Sequence, residues 1–423
     1  MQRLRNKIYT LLRQSEGFFK TDMIYLAKGG TWLLSGYIIQ GLLGLVLLTA
    51  FANLVPKESY GTYQFIISIS AILTTFTLTG MATAISKAVA QGSMGSLRYG
   101  FSEQIKWSVT IVFSSVIMAT YYYLKNDISI SVSLLIVGAT QPFISAFGLY
   151  NNFLTGKQAF RESSLLNILN KFLPFLIIFP VLFLTDSAVW IIFAYFGSHL
   201  ISSFISYIFV LKKYNLIYIK DNNLLNYSKH LSFITSISKL SEHLDKVLVW
   251  YFLGAEKVAV YSLAQLPIYH LQVFFQIFHQ LTFAKIAQKS FEVLKVILPS
   301  KLLNYFGLTG IITLFYIIFA PIIFKTFFPN YLDSVIFTQI LALTLLTVPR
   351  NIILQAFTAH EMKNELYKIN TSSPIIRIIL LLILLPNFGI WGAIGANLIT
   401  EVYNTILQYY LFKTSIPKLT VNN

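Results

Sequence analysis

Residues 54–63 read LVPKESYGTY and residues 253–261 read LGAEKVAVY; Glu58 falls on Glu256 and Tyr63 on Tyr261, both at an offset of 198. The likeness extends outward: Asn170 and Pro174 match Asn370 and Pro374 at an offset of 200, and Trp190 matches Trp391 at 201. Thr155-Gly156-Lys157 faces Thr358-Ala359-His360 at 203. One match is noise, but a set at nearly constant offset marks a chain built from two copies of one unit.

Composition says what the unit is made of. Of 423 residues, 56% are apolar and 11% are Asp, Glu, Lys or Arg, against roughly a quarter charged in an ordinary soluble protein. The mean hydropathy is +0.66. A helix needs about 20 predominantly apolar residues to cross a hydrocarbon core of about 30 Å. The chain divides into twelve such segments between residues 29 and 412. The net charge of +16 therefore points to anionic lipid rather than nucleic acid. With no cysteine, disulfides, thiolate metal sites and iron–sulfur clusters are excluded.

The joints between segments alternate. Short ones (NLVPKES, KNDIS, TDS, GAEK, FPNYLD, PNFG) carry only Lys57, Lys125 and Lys257, while the tails and the other joints hold most of the 32 cations. The Lys/Arg bias of cytoplasmic loops places both termini in the cytoplasm, and the bacterial inner membrane is the expected location. The first 28 residues lack the apolar core of a cleaved signal and are expected to form a cytoplasmic amphipathic segment. Residues 29–210 and 230–412 form an N-lobe and a C-lobe of six spans each. A cytoplasmic linker over 211–229, expected as a surface helix through Leu216, Ile217, Ile219, Leu224 and Leu225, joins them, and 413–423 is a tail. Six spans per copy is an even number, so the copies insert alike, related by a pseudo-two-fold axis along the membrane normal. That is the parallel-repeat plan of secondary transporters, whose site lies near the midplane. The fold class is an all-α integral membrane protein of twelve transmembrane helices.

Ionisable groups inside a bilayer are costly and face a cavity or a partner. Residues 230–254, HLSFITSISKLSEHLDKVLVWYFLG, place Lys239, Glu242, His243, Asp245 and Lys246 within eight residues, largely on one helical face. Pairing of Glu242 with Lys239 and Lys246 at helical spacing would make them structural. The functional alternative is a substrate or coupling-ion site, with Asp245 or Glu242 as the titrating carboxylate. Span 1, the repeat mate, is almost uncharged, so the lobes are chemically unequal. Lys171, Arg350 and Arg377 are further in-span cations, with Lys28, Lys87, Lys106 and Lys285 near span ends, where snorkelling competes. The deep acids are Glu242, Asp245 and Glu401, leaving the interior net positive and suited to an anion. Gln265, Tyr269, Gln272, Gln276 and His279 form a stripe on span 8, and Gln64, Ser68, Thr75 and Thr79 one on span 2. Such stripes bond sugar hydroxyls or neighbouring helices. No P-loop, HExxH or GxSxG motif and no paired external carboxylates are present, so chemistry on a substrate is not expected.

GTWLLSGYIIQGLLGLV opening span 1, FANLVPKESYGTYQFIISI, and LDKVLVWYFLGAEKVAVYSLAQ in the second half resemble polysaccharide biosynthesis proteins of the O-antigen flippase branch of the multidrug/oligosaccharidyl-lipid/polysaccharide exporter superfamily. The likeness covers the whole chain through loose motifs, and the Gly of the second-span entry, Gly61, is Ala259 in the second half. It implies a V-shaped pair of lobes that moves an undecaprenyl-pyrophosphate-linked oligosaccharide from the cytoplasmic to the periplasmic leaflet. On that footing Lys239, Lys246, Arg350 and Arg377, then Lys28, Lys87 and Lys171, are expected to receive the anionic head group, with Gln272 and Gln276 on sugar hydroxyls. Asp245, Glu242 and Glu401 would couple a proton or sodium ion, unless membrane potential alone drives transport. No tight cofactor is implied. Expected partners are the lipid-linked oligosaccharide, the bilayer and glycan polymerase machinery. The rivals are an ion-coupled multidrug and toxin extruder, a membrane-embedded glycan polymerase or ligase, and a lipid II flippase.

Overall fold

The structure, a computed structural model, describes residues 23–214, 216 and 222–415, and every regular element among them is helical. The side chains of 23–35, 37–38, 222, 234, 273–274, 276–285 and 287 fall outside the description, as do the expected N-terminal amphipathic segment up to residue 22, Ile217, Ile219 and the tail from 416.

Twelve helical rods follow in chain order. They are α1 (Met23–Leu54), α2 (Lys57–Thr75, resumed as Met81–Ala90), α3 (Ser96–Leu124), α4 (Ile128–Gly156), α5 (Phe160–Leu184) and α6 (Ala188–Tyr214), then α7 (Asn222–Leu253), α8 (Ala255–Ala287), α9 (Phe291–Phe327), α10 (Ser334–Ala359), α11 (Lys363–Phe388) and α12 (Ile390–Thr414). Seven of them (α3, α4, α5, α6, α9, α10 and α11) are each long and apolar enough to cross a bilayer. Charges in α7 and the interruption of α2 dilute the apolar run in those two. The packing repeats with the sequence: α1 lies on α5, α3 on α4, α4 on α6 and α5 on α6, and six helices later α7 lies on α11, α9 on α10, α10 on α12 and α11 on α12. The chain is thus two six-helix lobes of one design.

Two interruptions depart from plain spans. Helix α2 breaks over 76–80, where the hydroxyls of Thr75 and Thr77 donate back to the Ile72 and Thr74 carbonyls at 2.7 and 2.8 Å, a bond that bends helices. It then runs to Ala90, beyond the expected end near 84. Helix α10 tightens into a 3₁₀ stretch over Ala342–Arg350, far longer than the three or four residues usual for that geometry. The linker also differs from the expected surface helix: α6 runs on to Tyr214, α7 starts at Asn222, and Leu216 and Leu224 are buried in the N-lobe core. Covering these leucines with protein removes more apolar surface from water than laying them on a headgroup layer.

The cores show how the lobes meet. At the end carrying the short joints, one apolar cluster draws on all twelve helices, from Phe51 and Tyr60 through Tyr261, Phe324 and Tyr331 to Ile394. At the end carrying the basic joints it is replaced by two separate clusters, one around Ile85, Phe153 and Val210 and one around Phe291, Phe357 and Phe412. The lobes share one core at the first end and have separate cores at the second.

One seam crosses the full depth. Helix α2 packs on α7 and α8 of the other lobe, and close approach at both ends requires glycine. A Cβ on Gly61 would lie 1.9 Å from the Ala255 carbonyl oxygen, and one on Gly80 would lie 2.5 Å from the Ser228 carbonyl oxygen. Ser232 accepts from the Gly80 N–H at 2.9 Å, Thr79 and Thr235 share a 3.2 Å hydrogen bond, and Ser236 donates to the Thr75 carbonyl at 3.0 Å. At the short-joint end the clasp is completed on α1, where Asn53 donates to the Phe327 carbonyl at 2.9 Å and Asn330 to the Ala52 carbonyl at 3.3 Å.

Candidate functional site

The polar face of α7 looks into a cavity of about 670 Å³ walled by α7, α8, α10, α11 and α12. Asp245 sits at its back, 1% exposed. Its Oδ2 accepts from the Tyr261 hydroxyl, Gln265 Nε2 and Arg377 Nη2, each at 3.0 Å, and its Oδ1 accepts from the Lys246 N–H at 2.7 Å. Four donors thus satisfy a carboxylate whose burial is costly without hydrogen-bond partners. Lys246 reaches out of its own lobe to Gln64 Oε1 of α2 at 3.2 Å, so the cavity touches the seam. A second ion pair joins Arg350 of α10 to Glu401 of α12, and Thr347 donates to Glu401 Oε2 at 2.9 Å. At 1.5 Å per residue, Glu401 lies about 17 Å from one end of α12 and about 20 Å from the other, near mid-depth.

The expected site residues separate into groups. Asp245, Glu242, Lys246, Gln272, Arg377 and Glu401 line this one cavity, Arg350 closes its edge through Glu401, and Gln272 donates to Thr344 at 3.4 Å. The intrahelical pairing of Glu242 with Lys239 and Lys246 does not form; Arg377, 132 residues away, takes Asp245 instead. Glu242 and Lys239 are both exposed, Glu242 into the cavity and Lys239 outside its lining. Lys171 of α5 is exposed on the N-lobe side, within electrostatic range of His199 on α6 and, across the cleft, of His270 on α8. Lys87 lies away from the cavity, with its ammonium 4.7 Å from the Tyr227 ring centre, and Lys106 bonds Glu103 at 2.7 Å. The side chains of Lys28, Gln276, His279 and Lys285 are outside the described residues.

The charge balance differs from the expectation of a net positive interior. The cavity lining holds Glu242, Asp245 and Glu401 against Lys246 and Arg377, with His243 beside them. The three acids counted from the sequence all converge on one cavity, whereas the cations spread between cavity, cleft and interface. Sequence reasoning missed Asn397 as a cavity group, Tyr261 as a buried donor to Asp245, and Gln64 as the cross-lobe partner of Lys246. The usable signal was that a buried acid in a span must find a cation. Helical spacing offered Lys239 and Lys246, and only the packing of α7 on α11 brings in Arg377.

The N-lobe counterpart carries no charge in its polar network. Asn170 donates to Tyr150 at 3.0 Å and to Ser206 at 2.6 Å and accepts from Ser203 at 3.3 Å, while Asn167, Asn151 and Ser163 continue the chain of bonds. Asn370, the repeat mate of Asn170, accepts from Ser238 at 3.0 Å through its carbonyl, and nearby Ser373 donates to Asn404.

Comparison with known proteins places this geometry. An uncharacterized membrane protein of Methanocaldococcus jannaschii is 24% identical over 90% of this chain and 82% of its own length. Among solved structures, a MOP superfamily transporter from Pyrococcus furiosus, described as having a binding pocket of reverse polarity, aligns at a TM-score of 0.64 and 14% identity over 92% of this chain and 97% of its own. An inward-facing multidrug resistance MATE family transporter aligns at 0.64 and 15% over 92% and 100%, and an outward-facing one at 0.62 and 14% over 92% and 94%. The two-lobe, twelve-helix architecture is therefore the fold of these transporters. The family model described as polysaccharide biosynthesis protein matches residues 26–283, from α1 through the Asp245-bearing helix α7 and nearly all of α8, and the chain belongs to that family.

Proposed function

We propose that the protein is a flippase that carries a lipid-linked oligosaccharide across the bilayer by alternating access, with the anionic head group received in the C-lobe cavity. The observation that carries this reading is a polar cavity near mid-depth, beside the inter-lobe seam, in a chain of the polysaccharide biosynthesis family. Arg377, Lys246, Lys239 and Lys171 supply positive charge on both walls of the cleft, and Gln265, Gln272, Tyr269 and Asn397 supply hydroxyl-bonding groups. A pyrophosphate competes with Asp245 for Arg377 and with Glu401 for Arg350. Each carboxylate so released is free to take a proton or sodium ion, which links substrate to ion without a tight cofactor. The lobes share one apolar core at the short-joint end and hold separate cores at the basic-joint end, where the contact of α2 with α7 must part to admit the head group from the side where it is made, given cytoplasmic basic joints. Outward movement of each negative charge gains about 2.3 kcal/mol per 100 mV of inside-negative potential.

A second reading rests on the three carboxylates of the lining: an exporter of organic cations, as in multidrug extrusion. Deletion of the gene followed by assay of lipid-linked saccharides and of drug sensitivity separates the two. Saccharide accumulation on the cytoplasmic face with unchanged drug sensitivity supports the flippase; normal surface glycan with raised drug sensitivity overturns it.

A further inference from the structure

A second cavity of about 660 Å³ opens between α9, α10 and α12 on the flank of the C-lobe. Its walls are aliphatic and aromatic, including Leu303, Phe306, Leu343, Leu346, Val402 and Ile406, and all but Leu346 are large exposed apolar groups, the condition of a lipid-facing groove. Its floor is different. Arg350 and Glu401 line it, and Glu401 also lines the polar cavity on the other side. The 3₁₀ stretch Ala342–Arg350 is the partition: Thr344 faces the polar cavity, while Leu343, Leu346 and Thr347 face the groove. Within that partition the Nε of Arg350 is buried with no hydrogen-bond partner among the described residues, so the guanidinium keeps a donor for another acceptor.

We infer that this groove is the docking site for the polyisoprenoid chain of the lipid-linked saccharide, with Arg350 at its inner end as a contact for the phosphate; the inference rests on the flippase reading above. Depth selects this occupant over a bilayer phospholipid. A phospholipid keeps its head group at the membrane surface, whereas the charged floor of the groove lies near mid-depth, about 17 Å and 20 Å from the two ends of α12. An amphiphile with its phosphate at the middle of the bilayer and its chain leaving sideways into lipid is a lipid caught between leaflets. The hydrocarbon wall and the charged floor fit its two ends, and the shared Glu401 joins its site to the head-group cavity.

The test uses the full chain in phospholipid nanodiscs and two photoreactive probes, a long polyisoprenyl pyrophosphate and a phosphatidylglycerol, each with a diazirine in the chain. The expected result is labelling of α9, α10 and α12 by the isoprenoid probe, removed by unlabelled polyisoprenyl pyrophosphate and not by phosphatidylglycerol. Leu346→Trp, or Val402→Trp at the exposed rim if the first variant does not fold, displaces about two methylenes of the chain and lowers affinity for the long-chain probe about tenfold. Binding of a saccharide pyrophosphate on a ten-carbon chain stays unchanged in the same variants. Equal labelling by phosphatidylglycerol, labelling confined to other helices, or equal wild-type affinity for short-chain and long-chain ligands overturns the groove proposal while leaving the head-group reading standing. Failure of both ligands to bind overturns the head-group reading and the groove with it.

Discussion

The two lobes share one scaffold and differ in what they bury. In the N-lobe, the polar interior around Asn170 is neutral: amides and hydroxyls of α4, α5 and α6 bond one another and leave nothing charged to satisfy. In the C-lobe, Asp245 and Glu401 are set against Arg377 and Arg350 beside cavities of about 670 and 660 Å³. A repeat fixes helix packing in both copies without fixing chemistry in either. A neutral network closes on itself, whereas a buried ion pair next to a void can exchange one partner for a ligand, so function is expected to sit in the second copy.

The sharpest way to break this contrast is Asp245→Ala. Arg377 then loses its carboxylate inside the protein, a change that typically costs 3–5 kcal/mol when a buried pair is broken, and export of lipid-linked saccharide stops. Thermal unfolding of the detergent-solubilised protein reads the first effect and surface glycan the second. The double variant Asp245→Ala with Arg377→Ala is expected to regain part of the lost stability without regaining export. A single variant as stable as the wild type would show that the pair is not buried in the membrane.

Next in size is Gly61→Ala at the clasp. The added methyl meets the Ala255 carbonyl, and overpacking of this kind costs about 1–3 kcal/mol. Because the chain has no cysteine, a disulfide between Asn53→Cys and Asn330→Cys reports the closed short-joint end cleanly, and Gly61→Ala should reduce its yield. Undiminished cross-linking would place the lobe contact elsewhere.

Smaller still is Asn170→Ala in the N-lobe, where interhelical hydrogen bonds inside membranes are worth about 0.6–2 kcal/mol. A modest fall in melting temperature with export retained would sustain the division of labour between lobes; loss of export at normal stability would contradict it. The smallest effect is expected for Lys57→Gln. Its 3.9 Å pairing with Asp333, whose side chain is 81% exposed, belongs to a class worth at most about 1 kcal/mol, and both stability and export should be unchanged within error.

Much of the fold was legible in the residues. The offset matches at Glu58 and Glu256, and at Asn170 and Asn370, announced two copies, and the observed helix partnerships repeat on that plan. The polar face of α7 was readable from its spacing, and it lines the cavity. The partners were not readable. Arg377 and Arg350 each stood alone in apolar sequence, and nothing local distinguishes a cation that will meet Asp245 from one that will snorkel, as Lys87 shows by ending over Tyr227. The break in α2 and the 3₁₀ stretch of α10 were equally hidden, because threonine back-bonding and a Pro349 near a helix end perturb a span without interrupting its hydropathy.

By itself the sequence determined how many times the chain crosses, that it does so in two copies, and that charge is confined to a few spans, because hydropathy and offset are properties of residue order. Only the tertiary structure decided which charges meet, which end of the lobes is fused, and that a lipid-facing groove shares its floor with a polar cavity. Those outcomes depend on residues far apart in the chain being brought together, Arg377 to Asp245 across 132 positions and Arg350 to Glu401 across 51, separations that no local pattern encodes.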